Sequence, residues 1–162
     1  MITGKPGTGK TTLIKAAIEK MPTVRMGGFW TSEARVQGKR VGFTLEGFDG
    51  QQAVLAHVDI DSPHRVGRYG VDTVGFEAFL DRLSLQNPDI ELFVVDEIGK
   101  MELFSNRFRR WITEVVNSDR QLLASVALKG EGLVRQIKER PDVHLFEMTL
   151  ANRVRLLETI LA

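Results

Sequence analysis

Cysteine is absent from the 162 residues, which excludes disulfides and cysteine metal sites. No apolar run approaches the ~20 residues that a membrane-spanning helix requires. Charge of neither sign predominates: 22 basic and 21 acidic residues leave a formal net charge of +1. There is thus no global field to recruit nucleic acid or an anionic membrane, and neither is an expected partner. Histidine is scarce, and His57, His64 and His144 lack the spacing of metal ligands. Repeats and low-complexity stretches are missing too. What remains suits one domain over residues 1–162, long enough to bury about 68–70 per cent of its unfolded surface.

Within this balanced composition, "LFVVDEIGKMELF" at 92–104 runs four apolar residues into two adjacent acids. A buried carboxylate is costly to keep ionised without a partner such as a cation. The partner stands at the other end of the chain, where "GKPGTGKTT" contains Gly-x-x-x-x-Gly-Lys-Thr, a phosphate-binding loop. Gly4, Gly7 and Gly9 free the backbone to curl its amides around a phosphate, together with Lys5, Pro6 and Thr8. The following helix start adds partial positive charge, Lys10 reaches the β and γ phosphates, and the Thr11 hydroxyl suits magnesium. Thr12 is left for a secondary phosphate contact. An accidental match in a chain of this length is expected on the order of once in a few hundred cases. Leu13, Ile14, Ala17 and Ile18 share one helical face, and Pro22 stops that helix.

The strand feeding the loop is represented only by Met1, Ile2 and Thr3, against the ~5–6 residues typical of strands. A trimmed or misassigned start is one reading of this. Because the loop occupies the amino terminus, a signal peptide has no room, and a cytoplasmic location is expected.

Residues 90–95 read as a buried parallel-type strand whose terminal Asp96 would hold magnesium opposite the loop. One acid suffices for the metal, so Glu97 suits a general base that orients and deprotonates water. The bland reading of Glu97 is a cap or an arginine partner.

Helical and strand patterns alternate as a layered α/β domain requires. Strands are expected at 24–31, 121–126 and 143–146, and 41–45 with 53–58 form hairpin arms in an antiparallel insertion of approximately 31–72. Phe76, Phe79, Leu80 and Leu83 mark one helix. Ser105 caps another, whose Phe108, Trp111, Ile112, Val115 and Val116 face inward. Leu133, Val134 and Ile137 mark a helix ending near Pro141, and Leu150, Val154, Leu157 and Leu161 stripe the terminal one. The expected fold is a three-layer phosphate-loop (P-loop) NTPase of the RecA-like, ASCE type, with a central, mostly parallel sheet carrying the hairpin insertion. Its hydrolytic branch is indicated by Glu97 and by room for a strand between loop and acid.

The stretches "GKPGTGKTTL", "GFWTSEAR", "VGRYGVD", "VVDEIGKMELFS" and "ANR" resemble the small nucleoside triphosphatases, a family that includes thermophile enzymes and a vertebrate cancer-related nucleoside triphosphatase. The resemblance covers nearly the whole chain. It implies a magnesium-dependent hydrolase of ATP, GTP and other nucleoside triphosphates that releases diphosphate nucleoside and phosphate. Residues 4–12, Asp96 and Glu97 match the family pattern, which also contains Lys100. After Ser125 the chain reads "VALKGEG" where members often carry a proline-containing turn, so base contacts are not carried over to that loop.

Phosphoryl transfer also needs positive charge against the γ-phosphate. Lys100 is the preferred candidate, and Arg35, Arg40, Arg65, Arg68 and Arg153 are the arginines available. Phe29, Trp30 and Tyr69 are candidates for stacking on a base, with core packing favoured for the first two. In "RFRRW" at 107–111, Phe108 and Trp111 share a buried face while Arg107 and Arg110 lie outside, a solvated helix face. Two other function classes stay open: a small-molecule or nucleotide kinase with the insertion as lid, and a nucleotide-gated interaction module. A monomer is expected.

Overall fold

The computed structural model describes residues 1–83 and 85–162. Its elements are β1 (Ile2–Thr3), α1 (Lys10–Glu19), β2 (Met26–Val36), β3 (Lys39–Gly47), β4 (Gln52–His57), β5 (Arg65–Val66), β6 (Tyr69–Val71) and α2 (Thr73–Arg82), then β7 (Leu92–Ile98), α3 (Asn106–Val116), β8 (Gln121–Val126), α4 (Leu133–Lys138), β9 (Phe146–Glu147) and α5 (Arg153–Leu161). A short 3-10 helix, Glu102–Phe104, lies between β7 and α3.

The strands form one sheet in the order β5-β6-β4-β3-β2-β7-β8-β1-β9. It is a mixed sheet, which corrects the expected mostly parallel one. The pairs β2–β7, β7–β8, β8–β1 and β1–β9 are parallel. Those from β2 outward through β3, β4, β6 and β5 are antiparallel. The insertion does not stand apart from the sheet. Its hairpins pair onto β2 and satisfy backbone groups that would otherwise form an open edge.

Alternation along β7 sorts the side chains into two layers. Phe93 and Val95 join the cluster beneath α2, α3 and α4, where Phe29 meets Phe76, Phe79 and Phe108 edge-on. Leu92 and Val94 point to the other face, onto Leu13, Ile14 and Ala17 of α1 and Leu156 of α5. Period-two alternation then turns Asp96 toward α1. Local signals hold the helix starts: Asp72 accepts from the Gly75 amide at 2.8 Å and Ser105 from the Phe108 amide at 3.0 Å.

Two expectations at the carboxyl end are corrected. The last strand is Phe146–Glu147 rather than 143–146. The stripe of the terminal helix is different, because Leu150 and Val154 are 76% and 73% exposed while Leu156 is buried, with Leu157 and Ile160 packed beside it. The helix begins only at Arg153, after a turn closed by Asn152, so Leu150 lies outside it and the helical phase is set later than the pattern suggested. No helix among the described residues is long and apolar enough to cross a membrane.

Candidate active site

Residues 4–12 link β1 to α1 as a tight loop. Gly9, at φ 93°, turns the chain into α1 in a conformation that side chains rarely adopt. At Gly4 a Cβ would lie 2.6 Å from the Met148 carbonyl oxygen, so the loop packs against the segment after β9 without room for a side chain. Thr8 Oγ1 donates to the Lys5 carbonyl at 2.9 Å, and Lys10 Nζ folds back to the Gly4 carbonyl at 3.1 Å. Helix α1 has no side-chain cap and no acid in its first turn. Its first amides are therefore directed at whatever acceptor enters the loop. Lys5, Pro6, Gly7 and Thr12 are exposed, and Thr8, Gly9, Lys10 and Thr11 are half-buried.

Asp96 is only 3% exposed and is held from both sides: Thr11 Oγ1 donates to its Oδ2 and Ser125 Oγ to its Oδ1. Thr31 Oγ1 donates to the Asp96 backbone carbonyl at 2.6 Å. Ser125 is a residue that sequence reasoning missed. It shares the α1-facing side of β8 with Leu123, and a hydroxyl inside the apolar run "QLLASV" was the available signal, since a buried hydroxyl needs a partner. Thr11 and Asp96 together present a hydroxyl and a carboxylate, hard oxygen donors of the type magnesium takes while keeping its remaining positions for water and phosphate. The residues present fit that ion.

Glu97 follows, with its side chain 37% exposed and Oε2 3.9 Å from Lys10 Nζ. Partial burial pushes its carboxyl above the ordinary carboxylate range, Lys10 opposes the shift and Asp96 adds to it. Gly99 is small because two acids converge on it: its Cβ would lie 2.7 Å from Glu97 Oε1 and 3.1 Å from Glu102 Oε2. Glu102 is the second missed residue. It is 5% exposed, and burial first, then the charges of Glu97 and Asp96, push its carboxyl up to about 8, against its own amide and that of Gly99. An acid inside the apolar "KMELF" was its signal.

The remaining candidates separate clearly. Lys100 is exposed, and the cation beside Glu97 is Lys10 instead. Arg35 and Arg40 pair with Glu33 at 2.5 and 2.8 Å, Arg65 donates to the Arg68 carbonyl at 2.7 Å, and Arg68 donates to the Arg40 carbonyl. Those four are tied within the insertion. Arg153 alone among the five flanks the loop, with Nη1 3.6 Å from where a Gly9 Cβ would be. Phe29 is core, Tyr69 accepts from Arg40 Nε at 3.1 Å, and Trp30 sits between Phe48 and the Lys15 ammonium. Phe108 and Trp111 are buried while Arg107 and Arg110 are exposed, as the helix face requires.

The family model described as NTPase matches residues 1–161. Nucleoside-triphosphatase THEP1 of Thermotoga sp. (strain RQ2) is 40% identical over all of this chain and 92% of its own length. The cancer-related nucleoside-triphosphatase of Homo sapiens is 37% identical over 98% of this chain and 92% of its own. The crystal structure of THEP1 from Aquifex aeolicus superposes with a TM-score of 0.87 at 33% identity, covering 98% of this chain and 94% of that one. With the match spanning the glycine loop, the acid-tipped strand and the Arg153 segment alike, the chain belongs to the NTPase family that contains these nucleoside-triphosphatases.

Proposed function

We propose that the chain hydrolyses nucleoside triphosphates, ATP and GTP among them, to the diphosphate and inorganic phosphate in a magnesium-dependent reaction. The observation that carries the reading is the convergence of Lys10 and Glu97 at the mouth of the glycine loop, 3.9 Å apart, with Thr11 and Asp96 behind them. The relatives' names support the same activity.

The loop amides and the uncapped start of α1 cradle the phosphates, with Thr12 at the outer edge. Lys10 neutralises charge on the β and γ phosphates as it builds. Magnesium would be held by Thr11 and Asp96, and when bound it supplies further positive charge to the phosphate oxygens. Glu97 accepts a proton from the attacking water, whose oxygen bonds the γ phosphorus as the bond to the bridging oxygen breaks. Its raised affinity for protons, which burial causes and Lys10 opposes, suits it to that task. Lys100, exposed just beyond Gly99, adds charge at the γ-phosphate side.

The strand order supports the hydrolytic, RecA-like branch of P-loop folds, since β8 separates the acid-bearing β7 from the loop-bearing β1. On this reading the chain works as a single-domain monomer in the cytoplasm.

The test is phosphate release from ATP and GTP, with and without magnesium and with no acceptor, for the native chain and Glu97→Gln. Native turnover that needs magnesium, and a fall of about 10²–10⁴-fold in the variant with nucleotide binding retained, is the expected result. Release that appears only when a hydroxyl acceptor is added would replace the hydrolase by a kinase.

A further inference from the structure

We propose that the segment between β9 and α5 seats the nucleobase of the bound nucleoside triphosphate, with the Arg153 guanidinium against the ring and Leu150 and Val154 flanking it. The inference rests on the hydrolase reading and extends the same site outward.

The segment abuts the glycine loop at two points. The Met148 carbonyl lies against Gly4, and at Gly9 a Cβ would meet Arg153 Nη1 at 3.6 Å and the Met148 methyl at 3.7 Å. A nucleotide whose phosphates occupy the loop must leave it on one side or the other. On the β8 and β7 side stand the carboxylates of Asp96 and Glu97, and the other side is bordered by β9 and the residues that follow it. An uncharged ring therefore exits toward Arg153.

The surface it meets there has unusual chemistry for a solvated turn. Leu150 and Val154, three residues before Arg153 and one after it in the chain, are 76% and 73% exposed although both are apolar. Arg153 has no carboxylate or carbonyl partner among the described residues, in contrast to the four insertion arginines. The turn itself is preformed: Asn152 Oδ1 accepts from the Thr149 amide at 2.8 Å, and Asn152 Nδ2 donates to the Glu147 carbonyl at 2.9 Å. Preorganisation lowers the ordering cost of binding. The aromatic side chains offered by the sequence for this task are engaged elsewhere, in the core, on Arg40 or beneath Lys15.

A guanidinium plane and two aliphatic side chains read a π-face and not a base edge. Such a seat accepts adenine and guanine with little discrimination.

The experiment compares dissociation constants of ATP, GTP and inorganic tripolyphosphate, all with magnesium, by calorimetry on the native chain, Arg153→Ala and the double variant Leu150→Ser, Val154→Ser. Both variants change exposed side chains, so the fold is retained and circular dichroism verifies it. The expected result is a weakening of ATP and GTP by about tenfold in Arg153→Ala and by less in the double variant, with tripolyphosphate unchanged. Equal weakening of tripolyphosphate would overturn the inference and make Arg153 a phosphate contact. Unchanged nucleotide affinity in both variants would place the base elsewhere. If the native chain binds neither nucleotides nor tripolyphosphate, the reading of the loop falls and this inference with it.

Discussion

Lys10 Nζ stands 3.9 Å from Glu97 Oε2, joining the end of the glycine loop to the second acid of β7 across most of the sheet's parallel half. In the proposed reaction the pair links a phosphate-directed cation to a proton-accepting carboxylate. Replacing Lys10 by Met keeps the stem and removes the charge. Hydrolysis is expected to fall by about 10²–10³-fold, with weaker nucleotide binding besides. Single-turnover phosphate release and calorimetry measure both, and a variant with native turnover would remove Lys10 from the chemistry.

Ser125 holds one oxygen of a carboxylate that is 3% exposed. Ser125→Ala leaves that oxygen buried without its donor, a loss expected to cost about 1–3 kcal/mol. Urea unfolding reads this as a lower midpoint at unchanged slope. A midpoint equal to the native one would mean that Thr11 alone satisfies Asp96.

Glu102 makes stability depend on pH. Its carboxyl rises from an ordinary 4.5 to about 8 in the fold, so between those values the folded chain holds a proton that the unfolded chain has released. Stability contributed by the neutral acid is complete below about 4.5, declines as pH rises, and is lost above about 8. Glu97 and Asp96 are the charged groups that oppose its ionisation. Glu102→Gln mimics the neutral acid and is expected to flatten the decline, by an amount on the order of a few kcal/mol at pH 9. Melting temperatures of both proteins from pH 4 to 9 decide it; parallel curves would count against the shift.

Lys100 is exposed, and no hydrogen bond or ion pair among the described residues involves its side chain. Lys100→Ala should therefore leave the melting temperature unaltered while lowering the turnover number for ATP by about tenfold. Turnover within twofold of native would take Lys100 out of the mechanism.

Much of the site was legible because its signals are local. Loop geometry follows from glycine spacing over nine residues, and Ser105 caps α3 through an amide three residues on. Strand β8 falls at Gln121–Val126, the run of residues expected for it. The mixed sheet was not legible, since a hairpin pattern specifies its own two strands and not the edge to which they attach. The phase of α5 was misread for a related reason: Leu150 continues the apolar spacing, yet the Asn152 turn intervenes before helical geometry begins.

The sequence by itself determined the glycine loop, the acid-tipped strand and the alternation that turns Asp96 toward α1, because each depends on backbone preferences and periodicity within a few residues. Only the tertiary structure decided that Ser125 completes the Asp96 cradle, that Glu102 meets Glu97 at Gly99, and that Arg153 among five arginines reaches Gly9. Periodicity tells which face a side chain takes, but the neighbour it meets there is chosen by sheet order and by the packing of helices remote in the chain.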